Sequence, residues 1–318
     1  MREVKLFTVA LLGLMVLAYL SWTKKDDEAK DAKVTLLSAK AEAIERIRFF
    51  TKTSTVELSY REAAGEKFAW FEVKSSRSTR RFTAASKVDS LLEAFAPLHA
   101  LRSLGKDLSE EELALTGLDE PKQTLVVTVS GKDKSFDVGE RTGGARDFYV
   151  RPQSSKAVFL VASKTLSDLQ FPEGKFMQRQ LRNAPRTEVA KVSVTVGDLS
   201  ATALQRNRQS AKDAFWATEE KPEDKVDALG NYLDKLEKLT AVEYLADEAV
   251  FEKAQSLLEA VWFSEDGEQL GRIDLRKSGE GKSATYYAVS AATKVPVKVS
   301  KYTAEHLIED APAALGER

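Results

Sequence analysis

Phe148–Leu169 reads FYVRPQSSKAVFLVASKTLSDL, and Tyr286–Leu307 reads YYAVSAATKVPVKVSKYTAEHL. At a constant spacing of about 138 residues, Tyr149 meets Tyr287, Lys156 meets Lys294, Val161 meets Val299, Thr165 meets Thr303 and Leu169 meets Leu307. Upstream, Gly131 and the strand around Phe136–Val138 answer Gly267 and the strand Arg272–Leu275. Further back, Trp70 in KFAWFEV answers Trp216 in DAFWATE, and an amphipathic helix follows each. The shared order of elements, more than any single pair, predicts two copies of one unit.

Hydrophobic periodicity sketches that unit. Thr55–Tyr60 (TVELSY) alternates apolar and polar residues, and Lys67–Val73 follows as its partner strand after the turn 64–66. Ser86 is placed to cap a helix carrying Val88, Leu91, Leu92, Phe95 and Leu98 at helical spacing, with Pro97 distorting its last turn. Ser109 and Glu112 form a capping box for a short helix ending at Gly117. Thr124–Val129, Ser135–Val138, Asp147–Val150 and Ala157–Val161 complete the first copy as strands. The second copy has strands at Val189–Val196 and Phe215–Thr218, then a helix over about Glu223–Leu239 with a stripe of Val226, Leu229, Leu233 and Leu236. A second helix, Asp247–Leu258, leads into Ala260–Ser264, Leu270–Leu275, Thr285–Val289 and Val295–Val299. Hairpins dominate and βαβ alternation is missing, so the expected class is α+β. It comprises two tandem related units of mainly antiparallel sheet with one main amphipathic helix each, preceded by one N-terminal transmembrane helix.

That leading helix is read from Leu6–Trp22, LFTVALLGLMVLAYLSW, which is 17 residues long and free of charge. A helix of this length spans roughly 25 Å, near the lower limit for a bilayer. Tyr19 and Trp22 fall where interfacial aromatics sit, and the end lacks the small residues of a cleavage site. An uncleaved anchor is therefore preferred to a cleaved signal or a buried core helix. Basic residues number two before the segment and four soon after it, which does not by itself favour export of the body. Long domains cross largely regardless of charge, and a very short tail ahead of a single span usually stays inside. The body is accordingly expected outside the cytoplasmic membrane. The expected partition is an anchor at 1–23, a charged tether at 24–40, a first unit at 41–184, a second at 185–310 and a frayed tail at 311–318. A basic helical stretch, Lys175–Arg182, precedes the boundary.

Composition narrows function by exclusion. The 318 residues hold 48 Lys plus Arg against 49 Asp plus Glu, and this near-neutral balance argues against a nucleic-acid partner. With no cysteine there is no thiolate nucleophile, disulfide or cysteine metal site. Two histidines, His99 at the end of an apolar helix and His306 beside Glu305 and Glu309, leave little room for a His-based triad. Gly279–Ser283 contains the GKS of a phosphate loop, but Arg276 stands where the first glycine is required, and the segment joins two strands. No catalytic, cofactor-binding or metal residue is assigned. Arg179, Arg182 and Arg186, with Arg206 and Arg208, form a candidate basic surface near the junction of the copies, suited to an acidic partner or lipid headgroups.

Several of these pieces recur together. They are the pattern I-x-x-I at Ile44–Ile47, the strand of Phe68 and Trp70, the leucine-striped helix, and a GLD-x-P turn at Gly117, Leu118, Asp119, Glu120 and Pro121. Val138–Gly139 then ends a strand, and Tyr149, Val150 and Arg151 begin another. In this order the chain resembles DUF4340, a bacterial family of unknown function, well over Ile44 to Arg182 and loosely in the second copy. The resemblance implies an accessory to ABC-type transport systems of the gliding-motility kind, with an ATPase and a permease as neighbours, and it carries over no catalytic residue. The leading expectation is thus a non-catalytic, membrane-anchored, extracytoplasmic interaction protein. It would hold the lipid bilayer through Leu6 to Trp22, and its anchor and sheet edges would supply the surfaces for an ABC permease. The alternatives are an envelope-bound enzyme or small-ligand binder using the cleft between the units, and a purely structural envelope protein.

Overall fold

The computed structural model describes residues 34–63, 65–144, 146–182 and 184–316. The first half contains β1 (Val34–Leu37), β2 (Ile44–Phe50), β3 (Ser54–Ala63), β4 (Glu66–Ser75), β5 (Thr79–Thr83), helix α1 (Val88–Phe95), β6 (Leu98–Ala100) and β7 (Arg102–Gly105). Then come α2 (Glu110–Thr116), β8 (Gln123–Val129), β9 (Lys132–Arg141), β10 (Asp147–Pro152), β11 (Val158–Ala162), α3 (Ser163–Gln170) and α4 (Pro172–Phe176). The second half contains β12 (Lys191–Val196), β13 (Leu199–Arg206), β14 (Phe215–Thr218), α5 (Asp227–Glu237), β15 (Ala241–Tyr244) and α6 (Ala249–Glu252). It closes with β16 (Gln255–Phe263), β17 (Gln269–Ser278), β18 (Thr285–Ser290), β19 (Val297–Val299) and α7 (Lys301–Leu315).

Three sheets, not two sheet units, organise these strands. A nine-stranded sheet runs β5-β4-β3-β2-β8-β9-β10-β11-β7, an eight-stranded one runs β14-β13-β12-β16-β17-β18-β19-β15, and β1 pairs with β6 alone. Strand outweighs helix, 45 % to 23 %, so sheet pairing and not helix packing sets the architecture. The expected pair of units fails for a physical reason: the main apolar core runs through both halves as one cluster, from Leu37 and Phe49 through Trp216 to Leu307 and Leu315, with a small satellite at Ala100, Ala157 and Phe159. Among the described residues no helix is long and apolar enough to cross a membrane. The stretch Leu6–Trp22, on which the expected transmembrane helix falls, lies outside them. Apart from β5, strand order follows the same connectivity in the two large sheets. Tyr149 and Tyr287 lie on β10 and β18, and Val161 and Val299 on β11 and β19.

The linker fastens one sheet to the other. On one side Ala85 donates its amide to Phe176 O (2.7 Å) and Gln178 donates to Thr83 O (2.9 Å). On the other, Ala241 donates to Arg179 O (2.8 Å), and Gln180 bridges Thr240. Two sheet edges, β5 and β15, are thereby covered by one extended segment, which satisfies backbone groups that an edge strand leaves open. The same pairing overturns the expected basic helix over Lys175–Arg182: Met177–Gln180 is extended because its amides and carbonyls are taken by strands. Tyr244 donates its hydroxyl to Gln178 O (2.8 Å), and its ring meets Trp70 edge-on at 6.1 Å. Burial pushes the Tyr244 phenol well above its ordinary value, so it stays a donor.

Other local expectations shift in the same way. Ser109 and Glu112 form both halves of the capping box, and Gly117 ends α2 at φ 67°. Val88, Leu91, Leu92 and Phe95 of α1 are all buried, but Lys87 and not Ser86 precedes the helix, with no side-chain cap. His99 sits on β6, opposite Thr35, because Leu98 and Ala100 are drawn into the core as strand residues. The helix expected over Asp247–Leu258 shrinks to α6, since Gln255–Phe263 pairs with β17 along its length and, over Leu258–Phe263, with β12 on its other side. The stretch 24–40 is not all tether, because Val34–Leu37 is strand β1. Nor does the chain fray from 311: α7 continues to Leu315, with Ala304, Leu307, Ala311 and Leu315 buried in one stripe and Ser300 capping Thr303.

Candidate functional site

The five arginines singled out from sequence fall into two groups. Arg182 donates to Ala184 O (2.6 Å) and meets Glu237 at 3.2 Å, while Arg186 meets Asp234 at 3.1 Å and Glu237 at 4.0 Å. Helix α5 supplies both carboxylates, Asp234 and Glu237, so this pair of guanidinium groups is neutralised locally. Arg179 is exposed beside them, and its carbonyl accepts the Ala241 amide. Arg206, at the end of β13, pairs with Glu223 at 2.5 Å, and Arg208 pairs with Glu265. The two groups share no carboxylate. The structure brings Arg182 to Arg186 and Arg206 to Arg208.

Arg206 and Arg208 line an open groove of about 960 Å³ between the β13–β14 turn and the β16–β17 turn. Its wall mixes Lys191 with Asp213 and Glu219, and Leu204 and Phe215 add apolar surface. Ion pairs already occupy both arginines, so the groove is amphoteric and not basic. The sequence signal for it was the polar run Asn207–Asp213 between two strands, where Asn207 takes a positive φ of 52°. The groove lies away from the junction of the large sheets, where Trp70, Thr83 and Tyr244 are packed.

Two buried carboxylates are further groups that sequence reasoning passed over. Asp137 on β9 accepts from Arg151 (2.8 Å) and Gln153 (2.8 Å) across the sheet. Asp274 on β17 accepts from Arg276 at 2.7 and 3.0 Å, and its other oxygen is buried without a partner. The Asp274 carboxylate raises the Arg276 pKa above its ordinary value. Both acids sit near the same place in their sheets, and an Asp inside an apolar strand was the readable sign. Each is held by a guanidinium group, which suits support of the outer sheet face.

The remaining candidates disperse. His306 Nδ1 lies 3.3 Å from Glu309, but Glu305 is turned to Lys301 and to the Tyr286 hydroxyl. Among the described residues no group of three or more His, Asp or Glu is placed to hold a metal ion. Gly281–Ser283 is a single 3-10 turn between β17 and β18 that runs straight into a strand, so the GKS triplet opens no α-helix. The GLD-x-P turn meets the end of β9: a Cβ on Gly117 would lie 2.8 Å from Glu140 Cγ, and one on Gly139 would lie 2.1 Å from Thr116 O. Two motifs far apart in sequence are thus one packing contact.

The DUF4340 family model, described as a domain of unknown function, matches residues 82–260, more than half of the chain. The chain therefore belongs to the DUF4340 family. The match starts on β5 and ends on β16, so it takes in the GLD-x-P contact and crosses the linker, and it leaves out Ile44–Ile47 and Trp70. The family names no catalytic activity. No curated protein and no solved structure matches the chain.

Proposed function

We propose that this chain is a membrane-anchored, extracytoplasmic interaction protein, a non-catalytic partner of an ABC-type transport or gliding-motility-like complex. The observation that carries the reading is the charge-free stretch Leu6–Trp22 followed by the charged run Lys24–Lys33, joined to the body at Val34. Such a stretch is long enough to hold a bilayer, and a run without large apolar residues leaves the body free to reach a partner. The body supports a binding role through its rigidity: one core and one hydrogen-bonded linker fix the two large sheets relative to each other. A surface presented on such a frame loses little entropy on docking.

The test is affinity purification of the full-length protein from its native membrane in mild detergent, with mass spectrometry of the proteins recovered. The comparison is the chain lacking residues 1–23. Recovery of a permease and an ATPase, weakened when the N-terminal segment is removed, is the expected result. Good yields of the chain alone from intact membranes would overturn the proposal.

A further inference from the structure

One corner of the nine-stranded sheet concentrates positive charge in a chain whose net charge is −1. Residues 73–83, VKSSRSTRRFT, hold four cations (Lys74, Arg77, Arg80 and Arg81) and no carboxylate. They form the end of β4, a turn fastened by Ser75 and Ser78, and β5. Ser54 is the register partner of Ser75, so the Thr51–Ser54 turn with Lys52 stands beside this tip. Ion pairing takes up only part of the charge. Glu72 serves both Lys74 and Arg81, and Glu173 meets Arg80 at 2.7 Å. Arg77 and Lys52 make no ion pair among the described residues.

Beside this charge stands an unburied ring. Phe171, between α3 and α4, is 81 % exposed. The residue before it, Gln170, donates to Gln123 at the start of β8 (3.3 Å), and Glu173, two residues on, holds Arg80. Gln123 and the Thr51–Ser54 turn occupy the same end of the sheet, because Phe50 pairs with both Thr55 and Thr124.

We propose that this corner, with Arg77 at its tip and Phe171 at its flank, docks on an anionic lipid surface. Each basic side chain held at such a surface strengthens partitioning by about fivefold. An aromatic ring beside the charges is suited to the headgroup layer. An acidic protein is the weaker fit, because protein interfaces centre on an apolar, well-packed patch, and this exposed tip carries hydroxyls and charges. The inference rests on the reading that the body lies beside a bilayer, and it adds which face meets the headgroups.

Because the full chain contains no cysteine, Ser76→Cys, Phe171→Cys and Ser200→Cys each give a single attachment point for a nitroxide. The full-length chain is mixed with vesicles of phosphatidylcholine alone or with an equal part of phosphatidylglycerol. Relaxation by lipid-soluble oxygen and by a water-soluble nickel chelate then reports where each label lies. With phosphatidylglycerol, labels at 76 and 171 become oxygen-accessible, while the exposed Ser200 position on the second sheet stays nickel-accessible. Arg77→Glu combined with Arg80→Glu, or high salt, returns the label at 76 to water. Flotation with neutral vesicles reads the N-terminal anchor separately. Three outcomes overturn the proposal: a chain that floats while its label at 76 stays in water, lipid contact that ignores charge reversal, or burial of the label only when another protein is added.

Discussion

The Thr83 hydroxyl donates to the carbonyl oxygen of Thr293 at 2.6 Å, a buried bond between residues 210 positions apart. Thr83 ends the edge strand of the first large sheet, and Thr293 lies in the turn between β18 and β19 of the second. Around this bond Thr83 O accepts the Gln178 amide, and Lys294 forms an ion pair with Glu66 at the tip of the β3–β4 hairpin. Thr83, Gln178, Lys294 and Glu66 are thus paired across the junction, while the Trp70 indole N–H is buried beside them without a partner.

Thr83→Val tests that coupling. The substitution keeps the volume and leaves the Thr293 carbonyl with one fewer donor, at a cost of about 1–3 kcal/mol. A drop of several degrees in melting temperature is expected. Because the core is continuous, the drop should move one cooperative transition. Calorimetry that resolves two transitions, only one of them shifted, would contradict the single-core description.

Gly139 carries a sharper expectation. A Cβ there would sit 2.1 Å from the Thr116 carbonyl oxygen and 3.0 Å from Leu118 Cγ. The first of these is backbone at the end of a capped helix, which cannot swing aside as a side chain would. Gly139→Ala should cost about 1–3 kcal/mol by overpacking, read as a lower urea midpoint at constant slope. Gly143→Ala, where a Cβ meets nothing within 4 Å, is the control and should stay within about 0.5 kcal/mol. Equal midpoints for the two variants would refute the contact.

How much of this was legible in the sequence depends on whether the deciding interaction was local. The capping box at Ser109 and Glu112 and the left-handed Gly117 need only neighbours a few residues away, and both were readable. Val88–Phe95 was readable because its apolar spacing exposes one face. Gln255–Leu258 was not, since QSLL suits either helix or strand until β17 supplies the pairing. Met177–Gln180 looked basic and helical for the same reason, and its partners, Thr83 and Ala241, lie far away in the chain. The arginine cluster misled differently: sequence displays the positive charges at 182, 186, 206 and 208, but not the glutamates folded against them.

Those arginines should therefore differ in what they do for stability. Arg182 is mostly buried and holds both a carbonyl and Glu237, whereas Arg206 and Glu223 are solvent-facing. Arg182→Ala leaves a partly buried carboxylate and a carbonyl without their donor and should cost about 1–3 kcal/mol. Arg206→Ala removes an exposed pair worth about 0–1 kcal/mol. Chemical denaturation of the two variants side by side checks the order, and a larger loss at Arg206 would reverse the assignment.

Glu72 links stability to the charged corner. Its carboxylate accepts from Lys74 and from Arg81 (2.6 Å), and these bonds hold it below its ordinary value of 4.5 against the opposing pull of burial. A folded-state value depressed in this way adds stability that is present above about pH 4.5 and is lost as pH falls through the folded value. Glu72→Gln should thus be less stable than the parent at pH 7, with the gap closing on acidification, measured as the difference in urea midpoints along a pH series. A gap that persists at pH 3 would mean the loss comes from packing and not from ionisation. The same substitution frees Lys74 and Arg81 from their shared carboxylate, so at neutral pH it should bring the label at 76 closer to anionic vesicles while lowering stability. Those opposite movements separate an electrostatic docking corner from a merely structural salt-bridge cluster, in which both readouts would fall together.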